Sequence, residues 1–386
     1  MPETLNIGLV GYKFMGKAHS NAYLSVAKFF GAKLDPTMKA VCGRNEAAVR
    51  EFADQWGWES IETDWRQLVA RDDIHLVDIG SPGDTHAEIA IAAAKAGKHV
   101  FCEKPLANSL EDCKRMVAAV RSTGVRHMIN FNYRKAPAVA LAKQMIDAGE
   151  IGEVRHVRAT YLQDWLVDPD FPMNWRLRKE TAGSGALGDL AAHSVDLARF
   201  LAGNIAEVVG DMKTFITERP AEGDASGLAA SAGQGVEGVT VDDCAVFLAR
   251  FANGAVGTFE ATRLAAGRKN HNRIEVSGSR GSLAWCFEDL NYLDVYRCDD
   301  PTGAQGFRRI IATEGEHPYA GAWWPPGHML GYDHTFVNAV ADLIEGVATG
   351  ENPSPCFLAG ANCVSVLESV ERSVETGKWE AVEQVN

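Results

Sequence analysis

Several short stretches of the chain carry residue types whose spacing could do chemistry. Asp189 and His193 stand four apart in a segment, Asp189 to Leu201, that reads as a helix. That spacing puts both side chains on one face, a turn apart. Gly183, Gly185 and Gly188 precede them and give a compact entry able to pass close to a bound ring. A hydride leaves a carbinol carbon only as its hydroxyl proton is removed, and a histidine with an unperturbed pKa of ~6.5 suits that step near neutral pH. Taken alone, an Asp-x-x-x-His pair is more often a surface or capping pair. Lys104 lies in Glu103-Lys104-Pro105, directly after the apolar run His99–Cys102. The end of a parallel strand is where open α/β sheets place ligands, and an ammonium there would stabilise developing alkoxide charge.

The run Gly11-Tyr12-Lys13-Phe14-Met15-Gly16 follows a first apolar strand and opens a helix. This is the position of the dinucleotide-binding G-x-G-x-x-G loop, here with Lys13 in place of the second glycine. Lys13 either brings a cation to the phosphates or points to solvent. The second strand ends in Cys42-Gly43-Arg44-Asn45, with no carboxylate for a ribose 2′-hydroxyl. Arg44 could accept a 2′-phosphate or stack on adenine, so NAD and NADP both stay open. No metal-ligand spacing such as H-E-x-x-H occurs, and no metal is expected.

The elements that must position these residues follow two rhythms. Over residues 1–130, short apolar strands (Leu5–Val10, Met38–Cys42, Leu76–Ile79, His99–Cys102, Arg126–Asn130) alternate with amphipathic helices. Asn45 and Ser109 read as N-caps, as does Asp84 or Thr85, and Gly57, Gly97 and Gly124 as helix stops. Such alternation means a doubly wound parallel sheet, a Rossmann-type nucleotide-binding domain. Residues 131–386 change to runs of strands, with closing helices over Tyr332–Thr349 and Leu358–Thr376. This second domain is expected to be α+β with a large, mostly antiparallel sheet. Pro220 to Gly238, rich in Gly, Ala and Ser, reads as a loop.

The chain has 386 residues, of which 46% are hydrophobic, enough for two sizeable cores. Lys and Arg number 38 against 51 Asp and Glu, a net charge of −13, which argues against a nucleic-acid partner. Nothing approaches the ~20 apolar residues of a membrane helix, and Met1 to Val10 lacks the basic start of a signal peptide. The eight cysteines form no C-x-x-C pair and read as thiols of a reducing compartment, so a cytoplasmic location is expected.

Glu103-Lys104-Pro105, with Ser81-Pro82 and His86 before it, resembles the Gfo/Idh/MocA oxidoreductases, relatives of glucose–fructose oxidoreductase and inositol dehydrogenase. So do Asn130–Arg134, Trp175-Arg176, Gly185–His193 and the strand pattern from Thr240 to Ser282. The resemblance implies a Rossmann domain followed by an open-faced sheet that pairs subunits into a homodimer or homotetramer. It implies Lys104, Asp189 and His193 as the catalytic group, with His193 as base, Lys104 on the reacting oxygen and Asp189 orienting the substrate. It places NAD or NADP against Gly11, Lys13, Phe14, Met15, Gly16 and Arg44. Ser81, Pro82, His86, Glu103, Lys104, Asn132, Trp175 and Arg176 complete that cofactor set. A sugar or polyol would meet Lys104, Tyr133, Gln163, Trp175, Asp189, His193 and His334. Aromatic faces with fixed polar groups suit a pyranose-like ring. The block Tyr161–His193 is most similar to relatives that oxidise a ring secondary alcohol of an anhydrosugar such as levoglucosan to a 3-keto product, with inositol oxidation close behind. Two other activities occur on this fold, a redox-neutral NAD-dependent glycosidase and a non-catalytic sensor. Retention of Lys104, Asp189 and His193 argues against the sensor.

Overall fold

The computed structural model describes residues 3–226 and 229–386. Met1 and Pro2 of the N-terminal run, and positions 227 and 228 of the stretch read as a loop, lie outside the described residues. The chain divides into two compact units. The first is Met1–Asn132 with Tyr332–Val364 and Val385–Asn386, and the second is Tyr133–Gly331 with Ser365–Gln384. The helix Tyr332–Thr349 therefore belongs with the first unit, although a boundary at residue 130 assigns it to the second.

In the first unit, β1 (Glu3–Val10), β2 (Leu34–Cys42), β3 (Ser60–Glu62), β4 (Leu76–Ile79), β5 (His99–Cys102) and β6 (His127–Ile129) form one sheet. Every pairing is parallel and the order is β3-β2-β1-β4-β5-β6, the doubly wound arrangement of dinucleotide-binding domains. Leu76 to Ile79 is buried at every position, as a central strand covered on both faces must be. The caps follow the sequence. Asn45 accepts from the Ala48 N–H, Ser109 accepts from the Asp112 N–H, and Gly57 and Gly124 close their helices in the left-handed region. The Thr85 hydroxyl instead donates to the Pro82 carbonyl and caps nothing.

The second unit is built on a nine-stranded sheet. Its strands are β7 (Val154–Leu162), β8 (Ile205–Lys213), β11 (Cys244–Phe251), β12 (Val256–Thr262), β13 (His271–Gly278), β14 (Gly281–Cys286), β15 (Tyr292–Arg297), β16 (Arg308–Ile311) and β17 (Glu380–Ala381). The order is β16-β15-β14-β13-β7-β12-β11-β8-β17, antiparallel throughout except for β7 beside β12. Strict alternation in β11 and β12 buries one face, against which Leu187–Ala191 packs, while Ala192–Ala202 packs on β7 and β13 and Pro137–Asp147 on β14 and β15. On the opposite face Val246, Leu248 and Val256 are exposed. Pro220 to Gly238 is not a loop. β9 (Glu218–Ser226) and β10 (Ala229–Gly238) pair antiparallel as a separate two-stranded sheet. Small residues with no apolar alternation hide a strand whose order comes from backbone pairing. Among the described residues no helix is long and apolar enough to cross a membrane.

Candidate active site

β1 runs into Gly11, whose φ of 107° lies where side chains other than glycine's are strained. A Cβ at Gly11 would stand 2.7 Å from the Gly80 backbone, and one at Gly16 would stand 2.5 Å from the Gly11 carbonyl. Both glycines are thus demanded by the turn itself. The 17-residue helix Phe14–Phe30 starts there with no side-chain cap and no acidic residue in its first turn. Its N–H groups and dipole are available to an anion, so the loop fits the pyrophosphate of a dinucleotide. Lys13, Phe14 and Arg44 are exposed, Met15 is half-buried, and Phe14 stacks on Tyr332 at 6.3 Å. Carboxylates beyond β2 are engaged elsewhere: Glu62 pairs with Arg71 at 3.2 Å, and Asp64 accepts from the Arg66 N–H.

Beneath the end of β5 lies a buried charged cluster around His19, which no sequence motif marks. His19 is wholly buried, with Nδ1 2.8 Å from Asp78 and Nε2 2.9 Å from Glu103. Burial pushes its pKa down, but the charges and hydrogen bonds of Asp78 and Glu103 outweigh that and raise it to about 10. Tyr23 donates to Asp78, and the Asn130 amide donates to Glu103 at 2.6 Å. Burial opposes the Glu103 carboxylate, yet its pKa is lowered by His19, Asn130 and Lys104. The Lys104 N–H donates to Glu103 Oε2, tying the half-exposed Lys104 to this cluster.

His86 and Asn132, expected at the cofactor, and His334, expected at the sugar, each have a partner within the protein. His86 is 1% exposed, with one ring nitrogen 2.8 Å from the Ser81 carbonyl and the other 2.9 Å from that of Pro105. It joins the Ser81-Pro82 turn to the Glu103-Lys104-Pro105 segment instead of lining an open cleft. Asn132, 3% exposed, donates to Thr335. His334, half-buried at the start of Tyr332–Thr349, pairs with Asp333 at 3.1 Å.

In the second unit the structure brings Tyr133, Gln163 and His193 together. The Tyr133 ring lies 4.6 Å from His193, and Tyr161 lies 5.8 Å from the same imidazole. The two phenols are 2.8 Å apart, Tyr161 donates to Asn270, and Gln163 donates to the same Asn270 oxygen. The helix read over 189–201 is two elements. Leu187–Ala191 is a π-turn and Ala192–Ala202 is α-helical, so Asp189 leaves a widened turn of the kind that recurs at functional sites. His193 is 7% exposed, whereas Asp189 is 29% exposed. Asp196, on the same helix, is bound by Arg134 through both oxygens at 2.7 and 2.5 Å and is structural.

Of the glycines before Asp189, Gly185 is demanded by contact with protein backbone. A Cβ on Gly185 would fall 1.8 Å from the Asp242 carbonyl, and Asp242 accepts from the Gly185 and Leu187 N–H groups. Arg263, buried at 1% exposure, donates from Nη2 to Asp189 Oδ2 at 3.1 Å and to the Gly185 carbonyl at 2.9 Å. Its other arm reaches the Arg176 carbonyl, and the Arg176 guanidinium lies 4.3 Å over Trp175. Neither Asp242 nor Arg263 stood out as a sequence motif. Period two along β12 does continue Phe259 and Ala261 to Arg263 on the buried face. His271, Cys286 and Glu288 also draw ligand-type atoms within 4.8 Å of one another. The Arg268 guanidinium 3.7 Å from Glu288 and the upward push of burial on the Cys286 thiol make this an ion-paired cluster.

A parallel sheet in this order, opening on an uncapped helix behind a glycine turn, is the arrangement of a dinucleotide-binding domain. Residues 5–131 match the oxidoreductase family with an NAD-binding Rossmann fold, and residues 139–284 match the GFO/IDH/MocA C-terminal domain. The chain belongs to the Gfo/Idh/MocA oxidoreductases. It is 43% identical to levoglucosan dehydrogenase of Pseudarthrobacter phenanthrenivorans over 389 residues, covering 100% of both chains. The structure of levoglucosan dehydrogenase in complex with NADH and levoglucosan superposes with a TM-score of 0.93 at 42% identity, over 99% of this chain and 100% of the other. An oxidoreductase domain protein from Kribbella flavida matches with a TM-score of 0.94 at 53% identity, over 98% and 99% of the two chains.

Proposed function

We propose that the protein is an NAD(P)-dependent dehydrogenase that oxidises a ring secondary hydroxyl of a cyclic sugar or anhydrosugar. Levoglucosan, giving a 3-keto product, is the first candidate and inositols are the next. The observation that carries this reading is the half-exposed Asp189 one turn before His193, in a chain alignable along its whole length with levoglucosan dehydrogenase. The nicotinamide, when bound, supplies the acceptor for the hydride. An imidazole nitrogen of His193 takes the hydroxyl proton, and the Lys104 ammonium stabilises the oxygen as it becomes alkoxide. Asp189 accepts a hydrogen bond from a sugar hydroxyl. The tyrosine rings packed on His193 fix the imidazole plane, while Gln163 and Trp175 offer a polar contact and an aromatic face to the ring. Exposed Val246, Leu248 and Val256 support a homodimer or homotetramer through the sheet, and free thiols support a cytoplasmic location.

The test is the rise in reduced-nicotinamide absorbance with NAD and NADP separately, across inositols, aldoses and anhydrosugars including levoglucosan. A rise with levoglucosan is the expected result. Silence across the panel, despite cofactor binding, would sink the dehydrogenase reading in favour of a redox-neutral glycosidase or a sensor. Arg44 is the exposed cation at the end of β2, so Arg44→Ala should weaken NADP binding by ~10-fold or more, the scale of a charge-assisted hydrogen bond, and NAD binding far less. Equal losses for the two dinucleotides, read by titration, would assign Arg44 to adenine stacking.

A further inference from the structure

We propose that Arg263 is a positioning residue for Asp189: its buried guanidinium, anchored to the Gly185 carbonyl, aims the Asp189 carboxylate as a hydrogen-bond acceptor. The proposal rests on the substrate-orienting role given to Asp189 above. A buried guanidinium requires a nearby anion to offset lost hydration. Two carboxylates are at hand. Asp242 is occupied by the Gly185 and Leu187 N–H groups at 2.6 and 2.8 Å, and its burial works against ionisation. Asp189 is the one that Arg263 contacts directly.

The same guanidinium fixes where Asp189 points. Nη2 spans Asp189 Oδ2 and the Gly185 carbonyl, and Nη1 reaches the Arg176 carbonyl at 3.3 Å. Asp242 binds the backbone of the same loop from the adjoining segment, so Gly185 to Asp189 is gripped through N–H, C=O and side chain together. The Trp165 ring lies 5.7 Å from the guanidinium. The planar fork spreads Nη2 to the Asp189 carboxylate and Nη1 to the Arg176 carbonyl, a spread that the single ammonium of a lysine does not reproduce. Asp189 is thereby oriented as an acceptor, with proton removal left to His193.

The experiment is a double-mutant cycle on kcat, with levoglucosan and NAD, or whichever sugar of the panel turns over. Arg263→Gln and Arg263→Lys are each made alone and with Asp189→Asn, with circular dichroism and NAD titration reporting folding. Arg263→Gln should lower kcat about 30-fold, the equivalent of one charge-assisted hydrogen bond, with Arg263→Lys recovering part of it. Combined with Asp189→Asn, neither change should cost more than about two-fold further, because their shared route is already lost. Should Arg263→Gln fail to fold, the cycle is read from Arg263→Lys. Equal losses with and without Asp189→Asn would mean a purely structural arginine and would overturn this proposal alone. Wild-type turnover in Asp189→Asn itself would overturn the role of Asp189, and this proposal with it.

Discussion

Lys104→Ala and His193→Ala should each lower kcat by at least ~10²-fold while NAD binding survives, the scale of losing a positioned base or a donor to a developing oxyanion. The two variants remove different things. Without His193 the base proposed for the hydroxyl proton is gone, which slows release of the hydride as the carbonyl forms. Without Lys104 the proton can leave, but the alkoxide develops without a facing cation. The proposed mechanism has the two groups act as one unit, so the double variant should lose far less than the product of the single effects. Multiplicative losses would mean that the two residues contribute independently and not as a unit. Near-wild-type turnover in either single variant, with sugar and cofactor saturating, would remove the role assigned to that residue.

How far the site could be read from sequence depends on whether its partners are local. Asn45 and Ser109 cap helices that begin one residue later, and their bonds span three residues, so composition and spacing suffice. The Rossmann rhythm is equally local, whereas the three-residue β3 is too short to carry a pattern. His19 is the opposite case. Its carboxylate partners lie 59 and 84 residues away, and only the sheet order brings them to one buried point. Arg263 escaped notice because a charged residue at a strand end is ordinarily taken as solvated, although the alternation of β12 points it inward. For Asp189 and His193 the spacing revealed the pair, but not the π-turn that presents Asp189 or the Asp242 contact that requires Gly185. The return of Tyr332–Val364 to the first unit is a matter of packing that periodicity does not encode.

Replacing His19 should be among the most costly changes to stability. His19→Gln keeps a hydrogen-bonding side chain but removes the cation between Asp78 and Glu103. Two buried carboxylates then face each other uncompensated, and removal of one partner from a buried pair costs ~3–5 kcal/mol. A lower urea midpoint at neutral pH is the expected result. The pH dependence separates this from a packing defect. The folded pKa of His19, about 10, lies above its unfolded value near 6.5, so its contribution is complete below about 6.5 and disappears as pH rises through about 10. Glu103 has the opposite sign. Its folded pKa is depressed, so its contribution holds above the unfolded carboxylate range and is lost as pH falls through the lower, folded value. The stability difference between wild type and His19→Gln should therefore be largest near neutrality and shrink toward pH 10. Parallel curves across that range would mean that the imidazole is neutral in the fold and that His19 serves by shape alone. A converging pair would establish a fixed positive charge beneath the strand end that carries Lys104, one that ties the Glu103 carboxylate and, through it, the Lys104 backbone in place.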